Sequence, residues 1–252
     1  SGVSSYLYVE NVYGAYLYYG AGNFTNSGEI SARATAGSAS GESSAIDVNN
    51  IYGVYIDDDM GSLDNSGSIS AAISTGDATG ASSEVAAEYA YGAYIYYGAG
   101  SFTNSGQISA SARAGNAIGY DTYVEAENVY GIYFYDDVVG TFDNSGKITA
   151  TAQAGSATGE EAETDAYYVY GVYFYYGAGS FTNSGQISAT AAAGSAAGPG
   201  ADVYVYDIYG VYFDDELGSF SNSGKITAAG SAGDTSGVSS YLYVENVYGA
   251  YL

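Results

Sequence analysis

Apolar and polar positions alternate with period two over short stretches that recur along the whole chain. The stretch Val12-Tyr13-Gly14-Ala15-Tyr16-Leu17 returns at residues 51–56, 129–134 and 208–213. The position of Ala15 is always Ala, Val or Ile, and that of Leu17 is Leu, Ile or Phe. These two share a parity and read as core-facing, with Gly14 and Tyr16 on the opposite face of a strand. A second strand, Ile30-Ser31-Ala32-Arg33-Ala34, has counterparts at residues 108–112 and 187–191, where Ile and Ala alternate with Ser or Thr. A weaker strand covers residues 7–9. Phe24, Leu63, Phe102, Phe142, Phe181 and Phe220 add an apolar residue at one further fixed place. No helical periodicity competes with these patterns.

The alternation sits inside a tandem repeat. Tyr-Gly-x-Tyr begins at Tyr13, Tyr52, Tyr91, Tyr130, Tyr170, Tyr209 and Tyr248, and Asn-Ser-Gly-x-Ile begins at Asn26, Asn65, Asn104, Asn144, Asn183 and Asn222. The spacing is 39 residues, with a single 40, and the extra residue falls in the turn at residues 136–139. Odd repeats carry a Tyr-Tyr-Gly-Ala-Gly turn where even repeats carry acids. Residues 1–17 recur without a mismatch as residues 236–252. The chain therefore reads as one continuous array over residues 1–252, cut from a longer parent in which a six-repeat block is duplicated.

Short strands at fixed spacing, joined by Gly-rich corners, predict an all-β fold without helices, a β-solenoid of six 39–40-residue repeats. Two coils of about 20 residues per repeat are expected. At about 4.8 Å per rung that makes a rod of roughly 60 Å, against roughly 30 Å for one coil per repeat. The alternative is a six-bladed β-propeller, since a blade also holds four short strands. Stacking places like residues on like. Asn26, Asn65, Asn104, Asn144, Asn183 and Asn222 then form an amide ladder at an inner turn. Tyr16, Tyr55, Tyr94, Tyr133, Tyr173, Tyr212 and Tyr251 form a row of rings outside.

Composition narrows the function classes. The chain has 28 acidic residues against four basic ones, Arg33, Arg113, Lys147 and Lys225, for a net charge of −24. Nucleic acid is excluded as a partner because too few cations exist to neutralise phosphates. Without His or Cys there is no imidazole base, triad or thiolate, and the acids repeat between units instead of meeting in one unique cleft. An enzyme is not expected. No apolar run is long enough for a membrane-spanning helix. The acidic turns are the one candidate site: Asp57, Asp58 and Asp59, then Asp136 and Asp137, then Asp214, Asp215 and Glu216, which read as solvated turns or as Ca²⁺ ligands.

Val129-Tyr130-Gly131-Ile132-Tyr133 followed by Asn144-Ser145-Gly146-Lys147-Ile148 carries a resemblance, repeated over the whole chain, to the passenger regions of bacterial autotransporters and related large repetitive surface adhesins. The resemblance implies a right-handed parallel β-helix displayed on a Gram-negative cell surface. Together these readings lead to the expectation of a structural segment of an extracellular or cell-surface filament, partnered by copies of itself end to end or laterally. The alternatives are an adhesin stalk binding host or matrix glycans, and an ice-binding repeat protein using the Ser/Thr face of the second strand.

Overall fold

The computed structural model describes residues 4–252, apart from the side chain of Val139. Among them there is no helix, and hence none long and apolar enough to cross a membrane. A repeat supplies a long strand such as Ser43–Ile56, a short one such as Met60–Asn65, one of seven or eight residues such as Ser68–Ser74, and a two-residue bridge such as Ala78–Thr79, which in Ala117–Phe134 and Ala157–Phe174 runs on into the long strand. All pair in parallel with their equivalents in the neighbouring repeats, giving one 11-stranded sheet and two six-stranded sheets. The chain is a β-solenoid with the repeats stacked along its axis.

The register fixes the coil. Tyr13 lies beside Tyr52, Tyr52 beside Tyr91, and Tyr91 beside Tyr130. One repeat is therefore one wide coil, and the expectation of two coils per repeat is corrected. All three sheet positions are needed to close a single turn, so neither half of a repeat can stack on the other. At about 4.8 Å per coil the stack is about 30 Å tall. A propeller is also ruled out, because each blade would pair its own strands, whereas here the sheets run between repeats. The extra residue of the fourth repeat is absorbed as a bulge. Ala99 pairs with Val138 but Ser101 with Thr141, so the ladder regains register at once.

Two apolar clusters fill the coil. One, of Ala, Val and Ile, lies between the first half of the long strands and the strands of the Glu29–Thr35 type, and includes Ile46, Val48, Val124 and Ala150. The other holds the bulk of the large side chains, among them Leu63, Phe102, Phe134, Phe142, Phe174 and Phe181, all at 0% exposure. There Phe rings stack coil on coil, 5.0 Å from Phe102 to Phe142 and 4.9 Å from Phe142 to Phe181.

The long strand breaks strict alternation twice in every coil. Asn11, Asn50, Tyr89, Asn128, Tyr168, Asp207 and Asn246 all take a left-handed conformation, with φ between 52° and 60°. Beyond that residue the pattern restarts: Ile51 and Val54 are buried, with half-buried Tyr52 between them. The glycine that follows each Tyr absorbs the second break. A Cβ on Gly53 would lie 2.5 Å from the Gly92 carbonyl oxygen and 2.9 Å from Ile69 Cγ2. This position thus faces inward against the strand holding Ile69, not outward with Tyr16 as alternation suggested. Glycine is required for that close approach, and the approach lets two tyrosines three positions apart share the outer face.

Candidate functional site

Four sets of residues could carry function: the asparagine column, the tyrosine rows, the acidic turns and a group of carboxylates on the long-strand sheet.

The asparagine column forms the expected ladder. Nδ2 of Asn26 donates to Oδ1 of Asn65 at 2.8 Å, and the bond repeats from Asn65 to Asn104, Asn104 to Asn144, Asn144 to Asn183 and Asn183 to Asn222 at 2.7–2.8 Å. The second amide proton is used too, with Asn65 Nδ2 donating to the Gln107 carbonyl at 3.2 Å. Asn104 and Asn183 are completely buried. Aspartate could form the same turn but has no amide proton to pass on, which explains why every repeat uses Asn.

Tyrosines form two parallel rows where one was expected. In the row of Tyr55, Tyr94, Tyr133, Tyr173, Tyr212 and Tyr251, successive ring centroids lie 5.0–5.2 Å apart with nearly parallel planes. Tyr16, at the first coil, turns its ring 64° from that of Tyr55. The second row, Tyr13, Tyr52, Tyr91, Tyr130, Tyr170, Tyr209 and Tyr248, stacks at 5.0–5.5 Å. Edge-to-face contacts such as Tyr52–Tyr55, at 5.0 Å and 85°, tie the rows together. Burial, above all, raises the hydroxyl pKa of Tyr52 and Tyr133 to about 12.

The acidic turns lie two coils apart along one side of the stack, and Asp137, Asp215 and Glu216 line one cavity with Tyr176. Asp58 Oδ1 accepts the Asp59 amide, Asp136 Oδ1 the Asp137 amide and Asp215 Oδ1 the Glu216 amide, each within its own turn. Asp57 accepts from the Tyr55 hydroxyl at 3.3 Å and Asp214 from that of Tyr212. Asp58, Asp59, Asp214, Asp215 and Glu216 are exposed. Successive clusters are two coils apart, separated by tyrosine turns such as Tyr96-Tyr97.

Carboxylates also meet on the outer face of the long-strand sheet, in the third to fifth coils. Glu127 is in register with Glu88 on one side and Tyr167 on the other, and Glu125 sits between Ala86 and Asp165. Glu88, Glu125 and Glu127 each offer a ligand oxygen within 4.8 Å of the others. Although they point away from the core, Glu125, Glu127 and Asp165 are only 5–8% exposed. Neighbouring tyrosines shelter them. The Tyr123 hydroxyl is 2.7 Å from Glu125 Oε2 and 3.2 Å from Asp165 Oδ2, and the Tyr167 hydroxyl is 3.5 Å from Glu125 Oε2. Asp165 Oδ1 is buried with no hydrogen-bond donor.

The electrostatics match this crowding. Burial, then the neighbouring Glu125, pushes the Glu88 carboxyl up to about 9. Burial, then Glu163, pushes Asp165 up to about 8. Burial also raises Glu127. No basic side chain lies on this sheet. Arg33, Arg113, Lys147 and Lys225 all belong to the sheet built from the strands of the Glu29–Thr35 type. Sequence reading missed the group because its members are not repeated. The available signal was the one column that holds Glu10, Asn49, Glu88, Glu127, Tyr167, Tyr206 and Glu245, in which two glutamates are adjacent.

The fold and its ladders define a one-coil-per-repeat β-solenoid. Comparison with known proteins adds no relative: no family model, no curated protein and no solved structure matches the chain.

Proposed function

We propose that this chain is a segment of an extracellular, self-associating structural filament whose work is mechanical. The observation that carries the reading is the continuity of the side-chain ladders. The Asn column, two Tyr rows and the Phe stacks run from coil to coil in register, so load along the axis is shared among many equivalent contacts. Stacked aromatic pairs contribute about 0.5–1.5 kcal/mol each beyond burial, and solenoid stability grows with every interface between neighbouring coils.

Self-association is part of the same proposal, since stacking of coil on coil is what buries these side chains: between neighbouring coils Tyr209 is 7% and Val205 0% exposed. Because residues 1–17 and 236–252 are identical, the same stacking can be repeated block after block. The net charge of −24 opposes side-by-side contact at low salt, so lateral bundling requires screening or cations.

Electron microscopy of the purified chain across concentration and salt tests this. Unbranched filaments of uniform width, whose aligned diffraction shows a spacing of about 4.8 Å along the axis, are expected. Dispersed single particles under all conditions, including millimolar divalent cations, would remove the filament reading. Specific binding of glycans by those particles would favour the adhesin stalk.

A further inference from the structure

We propose that neighbouring copies of this chain dock side by side through two opposite faces, a basic Ser/Thr face of one against the tyrosine–carboxylate face of the next. Charge is divided between these faces. Arg33, Arg113, Lys147 and Lys225 all lie on the six-stranded sheet of the Glu29–Thr35 type, whose strands carry a single acid, Glu29. The four cations are exposed, while alternate residues such as Ala34, Ala112 and Ile148 fill the core. On the other side of that core lies the first half of the long-strand sheet. Its outward positions hold Glu10, Asp47, Glu84, Glu125, Glu163 and Asp202 among tyrosines such as Tyr8, Tyr123 and Tyr204, and its strands hold no base.

The carboxylates have no counter-charge on their own sheet, and partial burial, then Glu125 and Asp47, raises the Glu84 carboxyl. Lys and Arg suit such a face, because they pair with carboxylates and lie over tyrosine rings. The faces also match in size and period. Six strands at about 4.8 Å by seven residues at about 3.3 Å give the basic face roughly 650 Å². Two such faces bury about 1,300 Å², within the range of specific protein–protein contacts. Coil height is common to both, so a contact made at one coil recurs at the next. Since the two faces are on opposite sides, the contact runs head to tail and leaves one face of each kind free, and rods add into ribbons. This inference rests on the filament reading and names its lateral partner. Copies repel at a distance, as the net charge of −24 requires, and attract at the docked faces.

Sedimentation velocity and electron microscopy of the whole chain, with a chelator present and salt varied, provide the test. Side-by-side association should be greatest near about 0.1 M salt, where interactions beyond about 10 Å are screened, and should fall away by about 1 M. Combining Arg33→Gln, Arg113→Gln, Lys147→Gln and Lys225→Gln should weaken it roughly tenfold or more, with the β-sheet circular dichroism spectrum unchanged. Arg33→Glu with Arg113→Glu reverses the basic face alone. That variant should not self-associate, yet through its intact acidic face it should bind the edge of wild-type ribbons and narrow them, which a misfolded chain would not do. Ribbons unchanged in the folded Gln variant, or a folded Glu variant that fails to bind wild-type edges, overturn the proposal. So does association seen only with added divalent cations, or capture of heparin by the basic face while the rods stay single. Filaments that lengthen but stay single at every salt overturn this contact and leave the filament reading intact, whereas rods that pair sideways without lengthening do the reverse.

Discussion

The side-chain amide of Asn104 donates a 2.8 Å hydrogen bond to the side chain of Asn144, 40 positions further on and one coil away. Asn104 in turn accepts an equal bond from Asn65. Each inner asparagine is thus donor to one neighbour and acceptor from the other, and removing one leaves both neighbours incomplete in a dry turn. Asn104→Ala is expected to destabilise the stack by about 2–4 kcal/mol, from two groups left unsatisfied at about 1–3 kcal/mol each. Asn222→Ala, at an exposed position with one ladder partner, should cost distinctly less. Thermal or urea unfolding of the two variants checks this, and equal losses would show that the ladder is not continuous.

The glycine between the two tyrosine rows sets a steric limit. A Cβ on Gly131 would lie 2.5 Å from the Gly171 carbonyl oxygen and 2.7 Å from Ile148 Cγ2, whereas one on Gly22 would meet nothing within 4 Å. Gly131→Ala should therefore lower the melting temperature steeply or prevent folding, and Gly22→Ala should leave it nearly unchanged. Trimming the neighbour with Ile148→Ala should not rescue Gly131→Ala, because the nearer clash is with backbone.

Alkaline pH should unfold the protein through its tyrosines. Burial holds the Tyr52 and Tyr133 hydroxyls at about 12, above the ordinary value of 10.0. Below pH 10 both folded and unfolded chains carry these groups neutral, and the stability associated with them is fully present. Between pH 10 and about 12 the unfolded chain loses protons that the folded chain retains, so stability falls as pH rises. A spectrophotometric phenol titration should show a late class of tyrosines that ionises together with loss of β-sheet circular dichroism. A single early transition with the fold intact would contradict the packing of the rows.

What the sequence made legible was whatever repeats. Asn26 and its equivalents, and the Tyr16 column, could be aligned by eye, and stacking then dictated a ladder and a row. Coil number was not legible, because 39 residues divide plausibly into one wide turn or two narrow ones. Only the pairing of Tyr13 with Tyr52 decides between them. The second tyrosine row was hidden by parity: strict alternation puts Tyr13 on the side of Ala15, and the turn of the backbone at Gly14 reverses that. The carboxylate group was hidden for the opposite reason. Glu88, Glu125 and Glu127 occupy columns that change from coil to coil, so no motif marks them, and they become neighbours only once the 39-residue register is imposed. The acidic turns stood out because they repeat in every second coil.

Left-handed residues make the final case. Seven equivalent positions share φ values of 52–60°, and five of them are Asn or Asp, the side chains that tolerate this region best. The other two are Tyr89 and Tyr168. A bulky side chain there carries a local conformational cost of roughly 1–2 kcal/mol that asparagine partly avoids. Tyr89 and Tyr168 are equally exposed, at 36% and 37%, but the Tyr168 ring also packs edge-on against Tyr167 and Tyr206 at 5.0 and 5.8 Å. Tyr89→Asn should therefore raise the melting temperature by a few degrees, while Tyr168→Asn should gain less because it also gives up those ring contacts. Differential scanning calorimetry of both variants checks the order. A loss of stability in Tyr89→Asn would mean that the tyrosine contributes packing outweighing its backbone strain.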